Sequence, residues 1–131
     1  MQMPMDSNRL LRLTARYGTP LWVYDAAVIR QRIQALKSFD TIRYAQKACS
    51  NTHILRLMRE EGVVVDSVSP GEIDRALRAG YSSGGEHPEI VFTADVIEPS
   101  TIAKVIEHHI PVNAGSIDML HQLGAVAPGH P

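Results

Sequence analysis

The chain has 131 residues, one domain's worth, whereas a complete eight-unit βα barrel needs about 250. Hydrophobic residues make up 44% and charged residues 21%, a balance that excludes wholesale disorder. With 13 Lys+Arg against 14 Asp+Glu the net charge is −1, so there is no electrostatic reason to expect nucleic acid or an anionic membrane as a partner, and no apolar run approaches the ~20 residues of a membrane span.

The N-terminus, MQMPMDSNRLLRL, sets Arg9 and Arg12 among its leucines and has no signal-peptide apolar stretch. A cytoplasmic location is therefore expected. The single cysteine, Cys49, cannot make an internal disulfide and fits a reducing compartment. A helix is predicted from Ser7, with Leu10, Leu11 and Leu13 apolar, and Gly18-Thr19-Pro20 ends it. Leu21-Trp22-Val23-Tyr24 reads as a short buried strand, because it is aromatic and branched. Asp25 is a good N-cap for a second helix, with Ile29, Ile33 and Leu36 on one face.

After residue 40 a unit repeats. Strand-like segments fall at 41–46, 63–66, 90–93 and 110–113, so that their starts lie 22, 27 and 20 residues apart. Helical patterns fill the gaps: Ile54, Leu55, Leu57 and Met58; then Ile73, Ala76 and Leu77; then Ile102, Val105 and Ile106; then Ile117, Leu120 and Leu123. Strands separated by helices imply a parallel sheet with right-handed crossovers. Ser69-Pro70-Gly71-Glu72 is a capping box with proline at the first helical position, and Ser116 can cap the last helix. Gly62 and Gly80 sit where helices should stop, and Ser82–Gly85 reads as a surface loop. The closing Ala-Pro-Gly-His-Pro is a turn signal where another strand is expected, as if the fold stopped midway.

Sites in parallel βα sheets gather at the carboxyl ends of the strands. Those ends carry Lys47, Asp66, Thr93 with Asp95, and Asn113. A lysine, two carboxylates, a hydroxyl and an amide on one rim suit a small-molecule site. A neutral lysine amine there can attack a carbonyl to form an imine, although a solvated strand-end lysine is the plainer alternative. The six histidines have no zinc-like spacing, so no metal is expected, and Gly84-Gly85 lacks a phosphate-loop pattern.

The local sequence adds a resemblance. Tyr44-Ala45-Gln46-Lys47-Ala48-Cys49-Ser50-Asn51 resembles the Schiff-base motif of the group IV, or fold-type III, pyridoxal-phosphate decarboxylases. Asp66-Ser67-Val68-Ser69-Pro70-Gly71-Glu72 resembles their second motif, and Tyr17 through Asp25 their N-terminal lead-in. Ile90–Thr93 and Val112–Ser116 fall in register, so the likeness runs from about residue 10 onward. It is similar above all to the diaminopimelate branch of the family.

The resemblance implies an α/β fold: the first half of a PLP-binding, alanine racemase-like βα barrel of about four units at 41–131. A strand–helix segment of the family's β-rich domain would precede it at 1–40. An unclosed sheet of this kind invites self-association. The implied cofactor is pyridoxal 5'-phosphate, held by Lys47, with Asp66, Ala45 and Glu72 beside it. A capping box alone also accounts for Glu72, and Cys49 reads as a small buried residue. The implied reaction of a full-length parent is decarboxylation of meso-diaminopimelate to L-lysine, with a small amino acid as substrate and a homodimer as the assembly. Family members are much longer. Their Gly-rich phosphate loop, ring-stacking histidine, carboxylate at the pyridine nitrogen and partner-donated cysteine all lie downstream of this region. The alternatives are an ornithine- or arginine-type decarboxylase of the same fold, a non-catalytic cofactor-binding protein, and a truncated product inactive alone.

Overall fold

The computed structural model describes residues 5–131. They fall in two compact units, one ending at Ser38 and one spanning Phe39–Pro131.

The first unit holds two helices, α1 (Ser7–Tyr17) and α2 (Ala26–Gln34). Asp6 caps α1 by accepting from Asn8 N at 3.0 Å, and Asp25 caps α2 by accepting from Ala27 N at 2.8 Å. These bonds satisfy amides that the first helical turn leaves without partners. The expected buried strand at 21–24 is not formed. The segment has no ladder partner, and Trp22 is 85% exposed. A strand exists only when a neighbour takes up its amides and carbonyls, and aromatic, branched composition cannot supply that neighbour. Leu36 likewise falls beyond the end of α2 and is exposed, whereas Ile33 is buried.

The second unit is a four-stranded parallel sheet in the order β1-β2-β3-β4: Arg43–Ala45, Val64–Ser67, Ile90–Ala94 and Val112–Ala114. A helix follows each strand: α3 (Thr52–Glu60), α4 (Pro70–Ala79), α5 (Pro99–Glu107) and α6 (Ile117–Val126). Asn51, Ser69 and Ser116 cap α3, α4 and α6 with their side chains. Gly80 closes α4 in the left-handed region at φ 99°, where a side chain would be strained.

The register places Tyr44, Val65, Ile90, Phe92 and Val112 on one face of the sheet. That face meets the helices in a single core, with Leu55 of α3, Ile73 and Ala76 of α4, Ile102 and Val105 of α5, and Met119 and Leu123 of α6. Burial of such aliphatic and aromatic side chains is the main favourable term in folding. The buried face of α6 is carried by Met119 and Leu123, one turn apart, and not by the expected Ile117, Leu120 and Leu123. Ile117 is 72% exposed and Leu120 is also exposed. Apolar residues lie all round this helix, so periodicity alone could not tell which stripe the sheet would take.

The other face of the sheet carries Arg43, Ala45, Val64, Asp66, Val91, Thr93 and Asn113. None of these side chains belongs to the core cluster of the described residues. At the free edge of β4, Val112 N donates to the Pro131 carbonyl at 3.0 Å, and a His130 ring nitrogen lies 2.8 Å from the Ile110 carbonyl. The terminal turn thus takes up part of the edge where the sequence suggested a further strand.

Candidate active site at the carboxyl rim of the sheet

Lys47 does not leave β1 in an extended conformation. It lies in a one-turn 3₁₀ helix, Gln46–Ala48, directly beyond the last ladder residue, Ala45. Its side chain is exposed and makes no hydrogen bond or ion pair among the described residues. Tyr44 Oη donates to the Cys49 carbonyl at 3.1 Å, so the strand residue before the turn is tied to the residue after it. Cys49 itself is half-buried.

Asp66 pairs with Ala45 across β1 and β2 and points to the open face. Thr93 Oγ1 donates to Asp66 Oδ1 at 2.6 Å, and Asn113 Nδ2 donates to Thr93 Oγ1 at 3.1 Å. Three of the five rim residues therefore form one chain of hydrogen bonds across β2, β3 and β4. Asp66 at its end is half-buried, so its carboxylate is both held and reachable. Ala45 lies in the same row as Asp66 and Val91, and its single methyl leaves room between the lysine turn and the carboxylate.

Asp95 is not a member of that chain. Its side chain lies against Gly115, where an added Cβ would run into Asp95 Oδ1 and come within 2.7 Å of the Ala94 carbonyl. Gly115 N donates to that carbonyl and Ser116 Oγ donates to the Asp95 carbonyl, at 2.9 and 3.0 Å. Asp95 and Gly115 thus clamp the loop after β3 to the loop after β4.

Glu72 is occupied in the helix cap. Its Oε2 accepts from Val68 N at 2.8 Å while Ser69 Oγ accepts from Glu72 N at 3.3 Å. The box forms with one change: the glutamate reaches the amide before the N-cap residue, not that of the N-cap residue itself. It thereby fixes the turn that follows Asp66.

Gln46 and Ser67 are not among the site residues expected from sequence. Both side chains are fully buried, and Gln46 Nε2 donates to Ser67 Oγ at 2.6 Å. A glutamine before a strand-end lysine gives no hint that it turns inward. A cleft of about 390 Å³ lies in the first unit between α1 and the 21–26 segment and includes none of the rim residues. It is lined by Arg9, Leu13, Tyr17, Trp22, Tyr24 and Asp25 among others. Among the described residues no group of His, Cys, Asp and Glu could hold a metal ion. Nor is any described helix long and apolar enough to cross a membrane.

The class that the fold and rim define is a parallel βα sheet with a lysine turn and a hydrogen-bonded carboxylate at its carboxyl rim. The chain belongs to the family described as pyridoxal-dependent decarboxylase, pyridoxal binding domain, whose pattern matches residues 25–131. It is 64% identical over 126 residues to the diaminopimelate decarboxylase of Escherichia coli strain K12, covering 96% of this chain and 30% of that protein. A crystal structure of a diaminopimelate decarboxylase superposes with a TM-score of 0.92 at 64% identity, covering 95% of this chain and 30% of that one. The crystal structure of the Helicobacter pylori diaminopimelate decarboxylase complexed with L-lysine gives 0.80 at 31% identity, covering 90% and 30%. The chain thus spans about 30% of the length of the relatives it matches.

Proposed function

We propose that this chain is the part of a diaminopimelate decarboxylase that holds the pyridoxal 5'-phosphate aldehyde, and that the whole protein converts meso-diaminopimelate to L-lysine and carbon dioxide. The single observation behind this reading is Lys47, on a turn at the carboxyl end of β1 and beside the Ala45–Asp66 pair. The likeness to the E. coli enzyme supports the choice of substrate.

The residues present fit such a group. Lys47 offers an exposed primary amine without a competing partner, and Ala45 leaves space beside it. Pyridoxal phosphate, when bound, supplies an electron sink for the pair of electrons left when a carboxylate departs. Lys47 would hold the group at its aldehyde carbon through the side-chain amine. Its flexible four-carbon stem would keep that amine within reach of the reacting centre, where it can carry a proton. Asp66, oriented by Thr93, presents a carboxylate that hydrogen-bonds or balances positive charge at the rim. Glu72 acts on the same region by holding the turn after Asp66. Val91, buried and paired with Asp66 in the ladder, adds apolar surface beside that carboxylate.

The direct test is a chimera in which this chain replaces the matching segment of the E. coli enzyme. Borohydride reduction with bound cofactor should leave the adduct on Lys47, and Lys47→Ala should abolish both the adduct and lysine release. The only other lysines are Lys37 and Lys104. Lys104 is held by Asp74 at 2.5 Å. An adduct mapped to either of them sinks the assignment. Release of carbon dioxide from ornithine or arginine, and not from meso-diaminopimelate, would sink the choice of substrate.

A further inference from the structure

The aim of Lys47 is set by the backbone that carries it, because its own side chain has no partner among the described residues. The parallel ladder between β1 and β2 ends at the pair Ala45 and Asp66. Beyond that pair β1 gives way to the 3₁₀ turn, and main-chain pairing no longer fixes the spacing. The next residues in register are Gln46 and Ser67, and their side chains continue the pairing with a 2.6 Å hydrogen bond. That bond joins the residue immediately before Lys47 to the residue immediately after Asp66.

The composition of this pair is costly for a fold that needs only stability. Both side chains are 0% exposed, and Gln46 Oε1 is buried with no partner. An apolar residue of the same volume would avoid the desolvation penalty of the amide. Among the described residues this is the one buried side-chain polar atom left unsatisfied, and such exceptions tend to mark sites where stability yields to function.

We propose that Gln46 and Ser67 are positioning residues: their buried bond extends the β1–β2 register by one step and fixes the spacing of Lys47 and Asp66. The Tyr44–Cys49 bond closes the same turn from its other side. The proposal rests on the reading of Lys47 and Asp66 given above and goes beyond it in assigning what aims them.

The test uses Gln46→Met together with Ser67→Ala in the chimera. This removes both partners, so no new orphan is left and the melting temperature should stay close to the parent's. Attachment of pyridoxal phosphate to Lys47, followed by absorbance and by mass of the borohydride-trapped adduct, should slow on the order of tenfold or more. The kcat should fall with KM little changed, and amide exchange at Lys47–Cys49 should quicken. Attachment and exchange within about twofold of the parent would overturn the proposal and leave the pair a packing feature. Should the double variant not fold, Ser67→Ala alone decides in the same way, since it removes the hydroxyl that Gln46 Nε2 bonds. Unchanged attachment in that variant overturns the positioning of the turn. Failure of the parent chimera to label at Lys47 would instead refute the site reading, so the two failures are distinguishable.

Discussion

Neutralising Glu89 tests the opposite end of the sheet, where the scaffold is anchored. Glu89 precedes β3, and its carbonyl accepts from Val65 N at 2.8 Å, so it is fastened to the start of β2. Its Oε2 accepts from Ser82 N at 2.6 Å, Ser82 Oγ at 3.0 Å and Arg59 Nε at 3.1 Å. Burial alone would raise the carboxyl pKa, but the Ser82 amide, the Arg59 guanidinium and the Ser82 hydroxyl outweigh it and hold it below 4.5. A folded pKa below the unfolded one means that the carboxylate's stabilisation is complete above about pH 4.5 and is lost as pH falls through the folded value. Charge-assisted hydrogen bonds contribute about 1.5–3 kcal/mol each. The Arg59 side chain is 43% exposed and that of Glu89 26%, so the ion pair is screened and its share is small. Glutamine keeps one acceptor for the Ser82 amide. Glu89→Gln should therefore cost about 1–2 kcal/mol at pH 7, or about 4–8 °C in melting temperature for a chain of this size. Thermal melts of the chain followed by circular dichroism at pH 7, 5, 4 and 3 should show the gap closing towards the acid end. A gap that stays constant down to pH 3 would show that the charge contributes nothing and would refute the reasoning.

Three further outcomes follow from the rim. Asp66→Asn in the chimera should slow turnover much more than it lowers the melting temperature; kinetics within about threefold of the parent, roughly 0.6 kcal/mol of barrier, would return Asp66 to an ordinary strand-end carboxylate. Thr93→Val should reduce turnover in the same direction by freeing that carboxylate, and it should have no further effect when Asp66 is already Asn; additive losses in such a double-mutant cycle would show that Thr93 acts elsewhere. The 131 residues alone should release no lysine from meso-diaminopimelate with added cofactor, because the rim supplies an attachment amine and a carboxylate but no complete cradle. Steady release by the purified chain would overturn that expectation.

Much of the fold was legible because its signals are local. Asp25, Ser69 and Ser116 each bond an amide two or three residues onward, so each helix start could be read from a short window. The four strands and the helices between them followed from spacing, and Lys47 and Asp66 from their places at strand ends and from the family resemblance. The segment 21–24 has the composition of a strand, but a strand also needs a neighbour, and no ladder forms there. The buried stripe of α6 went to Met119 and Leu123 because the sheet's surface, not the helix's own apolar pattern, selects the contact. The Asp66–Thr93–Asn113 chain spans residues 27 and 20 positions apart, and Gln46 meets Ser67 across 21. Such contacts exist only once strand register is set, and a shift of one residue would turn every one of these side chains to the other face. The residues able to do chemistry, and roughly where each strand would end, were determined by the sequence itself. Which of them meet, which is occupied in a cap, and what holds the lysine turn were decided by the tertiary structure, because side-chain hydrogen bonds between strands depend on ångström-scale register that no local pattern encodes.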